Sequence, residues 1–221
     1  MNWINRLLID APPLLLAITL HEAAHGYAAK HFGDNTAYFL GRVSLNPLRH
    51  IDPIGTLLIP LVLKLSGSPF LFGYAKPVPV NFNNLRNPKR DMVWVALAGP
   101  ASNMIQAFVW AVISLVFAFS ETNGYISAMA RAGILWNIIL AVFNLFPLPP
   151  LDGGRILVGL LPYPHSNTVA KIEPYGFFIV LGLAMAGILG DIWIDPLTNV
   201  AYAILSFIFT PISKILTFYL I

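Results

Sequence analysis

Ala11-Pro12-Pro13-Leu14-Leu15-Leu16-Ala17-Ile18-Thr19-Leu20-His21-Glu22-Ala23-Ala24-His25-Gly26-Tyr27-Ala28-Ala29 decides how this chain is read. The run is apolar and close to the roughly 20 residues that cross a bilayer. It nevertheless holds two histidines and a glutamate, and no other His, Asp, Glu, Lys or Arg. Ionisable groups at membrane depth are costly and mark function. Positions four apart share a helical face. His21 and His25 can therefore reach one Zn²⁺, with Glu22 beside it as general base. The pattern predicts metal-assisted hydrolysis carried out within a bilayer.

The composition agrees. Of 221 residues, 57% are hydrophobic and only 10% charged, against about 25% charge in soluble domains. The chain is expected to be an integral membrane protein. Its net charge of +3 comes from dispersed basic residues with no aromatic-basic platform, which argues against nucleic-acid binding. With no cysteine, disulfides and thiolate metal sites are excluded. Arg6, the apolar run and Ala23-Ala24 together imitate a secretory leader. Cleavage there would destroy the His/Glu cluster, and the stretch is long enough to span, so it is read as a membrane helix.

Apolar segments lie at about 11–30, 51–65, 92–118, 132–150, 174–190 and 196–219. The second is short for a crossing and runs into a stretch whose prolines, at 69, 77 and 79, prevent regular helix. Val78 and Val80 favour extended backbone there, which is tolerated at membrane depth only under cover of protein or a watery cavity. If 51–65 crossed alone, the cationic bias between the two sides would vanish and Asp152 would lie across the bilayer from His25. If 51–80 enters and returns, Lys30, Arg42, Arg49, Lys76, Arg86, Lys89, Arg90, Arg155, Lys171 and Lys214 share one side, with Arg6 and Arg131 opposite. The positive-inside rule makes the crowded side cytoplasmic. The expected fold is an all-α, polytopic helix bundle of five to six transmembrane segments with a short re-entrant or extended element. Its N-terminus is extracytoplasmic, and its active site lies toward the cytoplasmic side of the cell membrane.

A catalytic Zn²⁺ takes three protein ligands and keeps a fourth position open. Asp152, in Pro149-Pro150-Leu151-Asp152-Gly153-Gly154, is the best third candidate, because prolines end the preceding helix and the glycines allow a tight turn back toward the metal. His31, His50 and His165 are weaker ligands, read as surface or turn residues. Asn144 could donate to the oxyanion that forms at an attacked carbonyl. Asn103, in Gly99-Pro100-Ala101-Ser102-Asn103, is read equally well as an interhelical hydrogen bond or as a chemical group. Asn137 extends the polar face of Asn144.

Assembled, these blocks resemble the site-2 protease family, the M50 intramembrane zinc metalloproteases, and especially its compact prokaryotic members. The resemblance covers about residues 10–160 and rests on His21–His25, Gly41–Pro47, Asp52–Gly55, Gly73–Asn81, Ala98–Asn103 and Asn144–Gly153. It implies one Zn²⁺ per chain held by His21, His25 and Asp152, with Glu22 as general base and Asn144 positioning substrate or stabilising the oxyanion. It also implies an edge strand within 67–81, near Val78–Val80, that presents a membrane protein substrate. The chain would be a single transmembrane protease domain, 1–221, with additional helices at about 174–219 and no interval suited to a PDZ domain. A homo-oligomer is left open. The rival class is a transporter or channel using the same groups as a metal or proton pathway. It predicts internal repeats, and the His/Glu cluster has no counterpart in the second half.

Overall fold

A computed structural model describes residues 3–66, 75–117 and 124–220. Nine α-helices are described: α1 (Trp3–Phe32), α2 (Thr36–Phe39), α3 (Ile59–Leu65), α4 (Pro88–Phe117), α5 (Gly124–Asn144), α6 (Asp152–Leu160), α7 (His165–Ala170), α8 (Glu173–Met185) and α9 (Asp195–Leu220). π-Helical runs, Pro53–Leu58 and Gly190–Ile194, lead into α3 and α9. The protein is an all-α, multi-pass membrane bundle. Among the described residues, four helical stretches are long and apolar enough to cross a bilayer: α1, α4, α5 and Gly190–Pro211. α8, with 13 residues, is shorter than a straight crossing needs.

Helix α4 is central and packs against α1, α5 and α6, while α1 also meets α5. The packing inverts the pattern of a soluble protein. Buried positions on α4 are small or polar, among them Ala96, Gly99, Asn103, Gln106 and Ala107. The large side chains point outward: Ile105 is 67% exposed on α4 and Phe207 84% exposed on α9. Lipid tails are as apolar as leucine, so helices gain little by hiding large side chains from them. Close backbone approach and interhelical hydrogen bonds hold the bundle instead. Gly133 illustrates the approach, since a Cβ there would lie 2.5 Å from Cγ of Trp110.

The segment expected at 132–150 ends as helix at Asn144, ahead of Pro147, Pro149 and Pro150. Gly153 and Gly154 do not form a left-handed turn. Both are helical, in the first turn of α6, and serve close packing: added Cβ atoms would meet the Phe146 carbonyl oxygen at 2.6 Å and Pro149 Cδ at 2.5 Å.

The backbone at Lys76 lies against that at His50, where the Lys76 N–H donates to the His50 carbonyl at 2.9 Å. Residues 67–74, within the expected re-entrant element, lie outside the described residues. The expected edge strand near Val78–Val80 is not formed, and no β-strand exists among the described residues. Residues 75–81 carry no regular secondary structure, and several of their backbone groups are engaged elsewhere. Pro77 and Pro79 have no N–H. Val78 N–H donates to Glu22, Asn81 N–H to Asp34, and the Lys76 and Pro77 carbonyls accept from Arg42. Three of this segment's N–H groups are thereby spent on acceptors elsewhere in the fold, at His50, Glu22 and Asp34.

Asp34 anchors this arrangement. Gly33, at φ 113°, turns the chain out of α1, and Asp34 then sits fully buried. Its carboxylate accepts from Thr36 N–H at 3.0 Å, Asn81 N–H at 2.8 Å and Asn84 Nδ2 at 3.1 Å. Burial pushes this carboxyl upward. The hydrogen bonds from Thr36, Asn81 and Asn84 outweigh it and hold the pKa below the ordinary aspartate value. A depressed native pKa stabilises the fold above the unfolded-state value and loses that contribution as pH falls through the native one. Asp34→Ala is expected to cost about 1–3 kcal/mol in detergent near neutral pH. The difference from the unsubstituted protein should shrink below about pH 4 in thermal unfolding. A gap that stays constant with pH would refute this role for the carboxylate.

Candidate metal centre

His21 and His25 face the same side of α1 and are 7% and 9% exposed. Their rings fit because α4 has no side chain opposite them. A Cβ at Gly99 would lie 2.6 Å from His21 Cε1 and 2.6 Å from His25 Cε1.

The proton on each ring can be assigned from its partners. His25 Nδ1 lies 2.7 Å from the Val95 carbonyl, which only accepts, so Nδ1 carries the hydrogen. For His21 the assignment runs through two amides. Asn137 Nδ2 donates to the Gly133 carbonyl at 2.8 Å, which leaves its oxygen to accept from Asn103 Nδ2 at 2.9 Å. The same Asn103 nitrogen donates to the Ala17 carbonyl at 3.2 Å, so Asn103 Oδ1 faces His21 Nδ1 at 2.6 Å and takes its hydrogen. Both Nε2 atoms are thereby left with a bare lone pair.

These lone pairs point at each other and at a carboxylate. The two Nε2 atoms are 3.0 Å apart, and each is 3.3 Å from Asp152 Oδ2. That oxygen is buried and has no hydrogen-bond partner. Asp152 comes from another part of the chain. It is the first residue of α6, whose contact with α4 brings it to α1. Three converging acceptors with no proton between them repel unless a cation joins them. Ligand atoms about 2.0–2.1 Å from a tetrahedral metal lie roughly 3.3–3.4 Å apart, close to the spacings found. The donor set and the orphaned oxygen fit a metal ion, and His21, His25 and Asp152 form the one such cluster among the described residues.

Glu22 is half-buried beside this cluster, and its Oε2 accepts from Val78 N–H at 2.6 Å. Gly26, one turn on, gives room for this segment, since a Cβ there would meet Val78 Cγ1 at 3.2 Å. Asn144 is the last residue of α5, and one of its amide hydrogens returns to the Leu140 carbonyl at 2.9 Å. Of the weaker ligand candidates, His31 and His165 are exposed, and His50 is a buried turn residue at 2.8 Å from the Ser44 carbonyl. None joins the cluster. The sequence reading left Asn103 evenly balanced and gave Asn137 no link to the histidines. The signal that could have found them is an amide on each of two helices within a chain that has few polar side chains in its spans.

Three substitutions test the geometry without touching a metal-facing atom. Gly99→Val should lower metal content as severely as loss of a histidine, while Ala101→Val, on the exposed side of α4, should leave it unchanged. Asn103→Ala should weaken metal affinity about 10- to 100-fold, the usual effect of losing a group that orients a ligand. Metal content by mass spectrometry and chelator competition read both effects. Full occupancy in Gly99→Val would show that the imidazoles do not bind where they now stand.

Comparison with known proteins agrees with this centre. A model described as "Peptidase family M50" matches residues 119–187. "Putative zinc metalloprotease YwhC" of Bacillus subtilis (strain 168) is 38% identical over 192 residues, 84% of each chain. "Putative zinc metalloprotease Rip2" of Mycolicibacterium smegmatis is 31% identical over 83% of this chain and 69% of its own. "Zinc metalloprotease MJ0392" of Methanocaldococcus jannaschii is 28% identical over 80% of this chain and 42% of its own. No solved structure matches the chain at a significant level. With a likeness to YwhC that spans most of both proteins, and with the family match, the chain belongs to peptidase family M50.

Proposed function

We propose that the protein is a zinc-dependent intramembrane endopeptidase that cuts membrane protein substrates within or near their transmembrane segments. One observation carries the reading: two imidazole lone pairs and an unpartnered carboxylate oxygen converge inside the helix bundle. His21, His25 and Asp152 are the ligands of one Zn²⁺ per chain. Bound there, zinc would supply Lewis-acid polarisation of the scissile carbonyl and would acidify a water molecule.

The chain's own groups do the rest. Asn103 and the Val95 carbonyl hold the two rings in the tautomer that leaves Nε2 unprotonated. Glu22 acts as general base. Val78 N–H fixes its Oε2, and Oε1 has no partner among the described residues and is available to take a proton from water. The same carboxyl then returns that proton to the leaving amine. The second amide hydrogen of Asn144 is free of the Leu140 bond and is assigned to the oxyanion or to substrate positioning. A substrate helix must unwind locally, because its peptide carbonyls are otherwise enclosed by their own hydrogen bonds.

The whole chain, 1–221, is read as one protease domain. Four apolar spans are joined by a fifth passage through the α8 region, with 51–80 re-entrant. The Lys76–His50 backbone bond supports the return of that element. The charge distribution then supports an extracytoplasmic N-terminus and a site open toward the cytoplasm.

Glu22→Gln should keep about one zinc per chain while cleavage of a single-span substrate in proteoliposomes falls by several orders of magnitude. Normal turnover in that variant would defeat the mechanism, and loss of zinc would make Glu22 a ligand. Asp152→Ala should lose both zinc and cleavage. Reporters fused at Arg86–Asn87 should read cytoplasmic, and those at Glu121–Asn123 or near Asp191 extracytoplasmic. An external Arg86–Asn87 loop would overturn the proposed orientation.

A further inference from the structure

Beyond the peptidase centre, the connection that follows α1 builds a cationic recess. A cavity of about 600 Å³ is lined by Arg42, Arg49 and Lys76 together with Phe39, Leu40 and Leu48. Two of the cations are held in place by the backbone. Arg42 donates to the carbonyls of Arg49, Lys76 (2.8 Å) and Pro77 (3.4 Å), and Arg49 donates to that of Gly41. Carbonyl oxygens orient a guanidinium without neutralising it. Among the described residues, no carboxylate lies within ion-pair distance of any of the three. The acids nearest in sequence are engaged elsewhere, Asp52 with Ile54 and Gly55 N–H and Asp34 with Thr36, Asn81 and Asn84. Three uncompensated positive charges therefore face one recess.

The rim indicates what fits there. Phe39, Leu40 and Leu48 are 80%, 64% and 75% exposed, large apolar side chains standing beside the cations. A soluble anion would use only the charges. A lipid uses both, its phosphate among the cations and its glycerol and upper acyl carbons against the apolar rim. The depth is also right. The connection starts where α1 ends at Phe32, and Lys30 places its ammonium 3.4 Å over the Tyr38 ring centroid. Basic and aromatic side chains of this kind mark the headgroup level. We propose that this recess binds the phosphate headgroup of an anionic phospholipid.

The site also touches the peptidase machinery. Lys76 leads directly to Val78, whose N–H fixes the Glu22 carboxylate. A lipid at Lys76 thus steadies the segment that holds this base.

Native mass spectrometry of the full-length protein, in detergent micelles containing equimolar phosphatidylglycerol and phosphatidylcholine, tests the site without reference to peptidase activity. The unsubstituted protein should retain phosphatidylglycerol in preference. Arg49→Gln combined with Lys76→Gln should reduce that preference roughly tenfold. Lys76→Gln alone, which removes no side-chain hydrogen bond among the described residues, should give a partial loss and guards against misfolding of the double variant. Lys76→Arg should restore it. Equal retention of both lipids by the unsubstituted protein, or an unchanged preference in both Gln variants, would overturn the proposal. So would displacement of the lipid by millimolar inorganic phosphate, since the occupant would then be a soluble anion.

Discussion

Three lone pairs directed at one point, in a buried interface between helices, are the constraint on which this structure depends. Two imidazole nitrogens and a carboxylate oxygen at 3.0–3.3 Å would push apart if left alone. A cation turns that repulsion into coordination, and the surrounding structure keeps the three atoms poised for it. Protonation of either Nε2 would defeat the site. Hence the hydrogens are drawn to the far side of each ring, by Asn103 on His21 and by a backbone carbonyl on His25. Asn103 is oriented in turn by Asn137 and two main-chain carbonyls. Second-level partners of this kind fix both ring angle and ligand basicity.

The same constraint explains the side-chain sizes in the bundle. Helices in lipid cannot rely on the hydrophobic effect to bring them together, so close approach has to come from small residues. Gly99 lets α4 lie against the two imidazoles, and Gly153 and Gly154 let the first turn of α6, with Asp152 at its start, settle onto the Phe146–Pro149 turn. Gly176 on α8 approaches the Pro149 carbonyl from the other side. Gly99, Gly153 and Gly154 mark places where a backbone comes close beside His21, His25 and Asp152. Large apolar residues, having no such task, are turned outward toward lipid.

A second set of contacts governs Glu22, the proposed base. The irregular stretch from Lys76 to Asn81 is tied down at His50, Arg42, Glu22 and Asp34. With its main-chain groups so engaged, it serves as a brace for Glu22. A brace of this kind makes the surface loops around Arg42 and Arg49 part of the peptidase centre's support.

Much of this protein was legible from residue order. The apolar runs, the two histidines four apart and the adjacent glutamate are local features, and a helix of known pitch converts them directly into a face with defined chemistry. Asp152 was legible by a longer inference, because a polar residue just past a span, after helix-ending prolines, has few places to go. The rest was decided in three dimensions. Residue order left Asn103 in balance and did not reveal the Asn103–Asn137 relay, because hydrogen bonds between helices depend on rotations that no single-chain periodicity specifies. Nor did alternating valines foretell that Val78 N–H would bond to a side chain on α1. β-Propensity describes what a backbone can adopt, and only the tertiary structure determines which acceptor lies opposite its N–H.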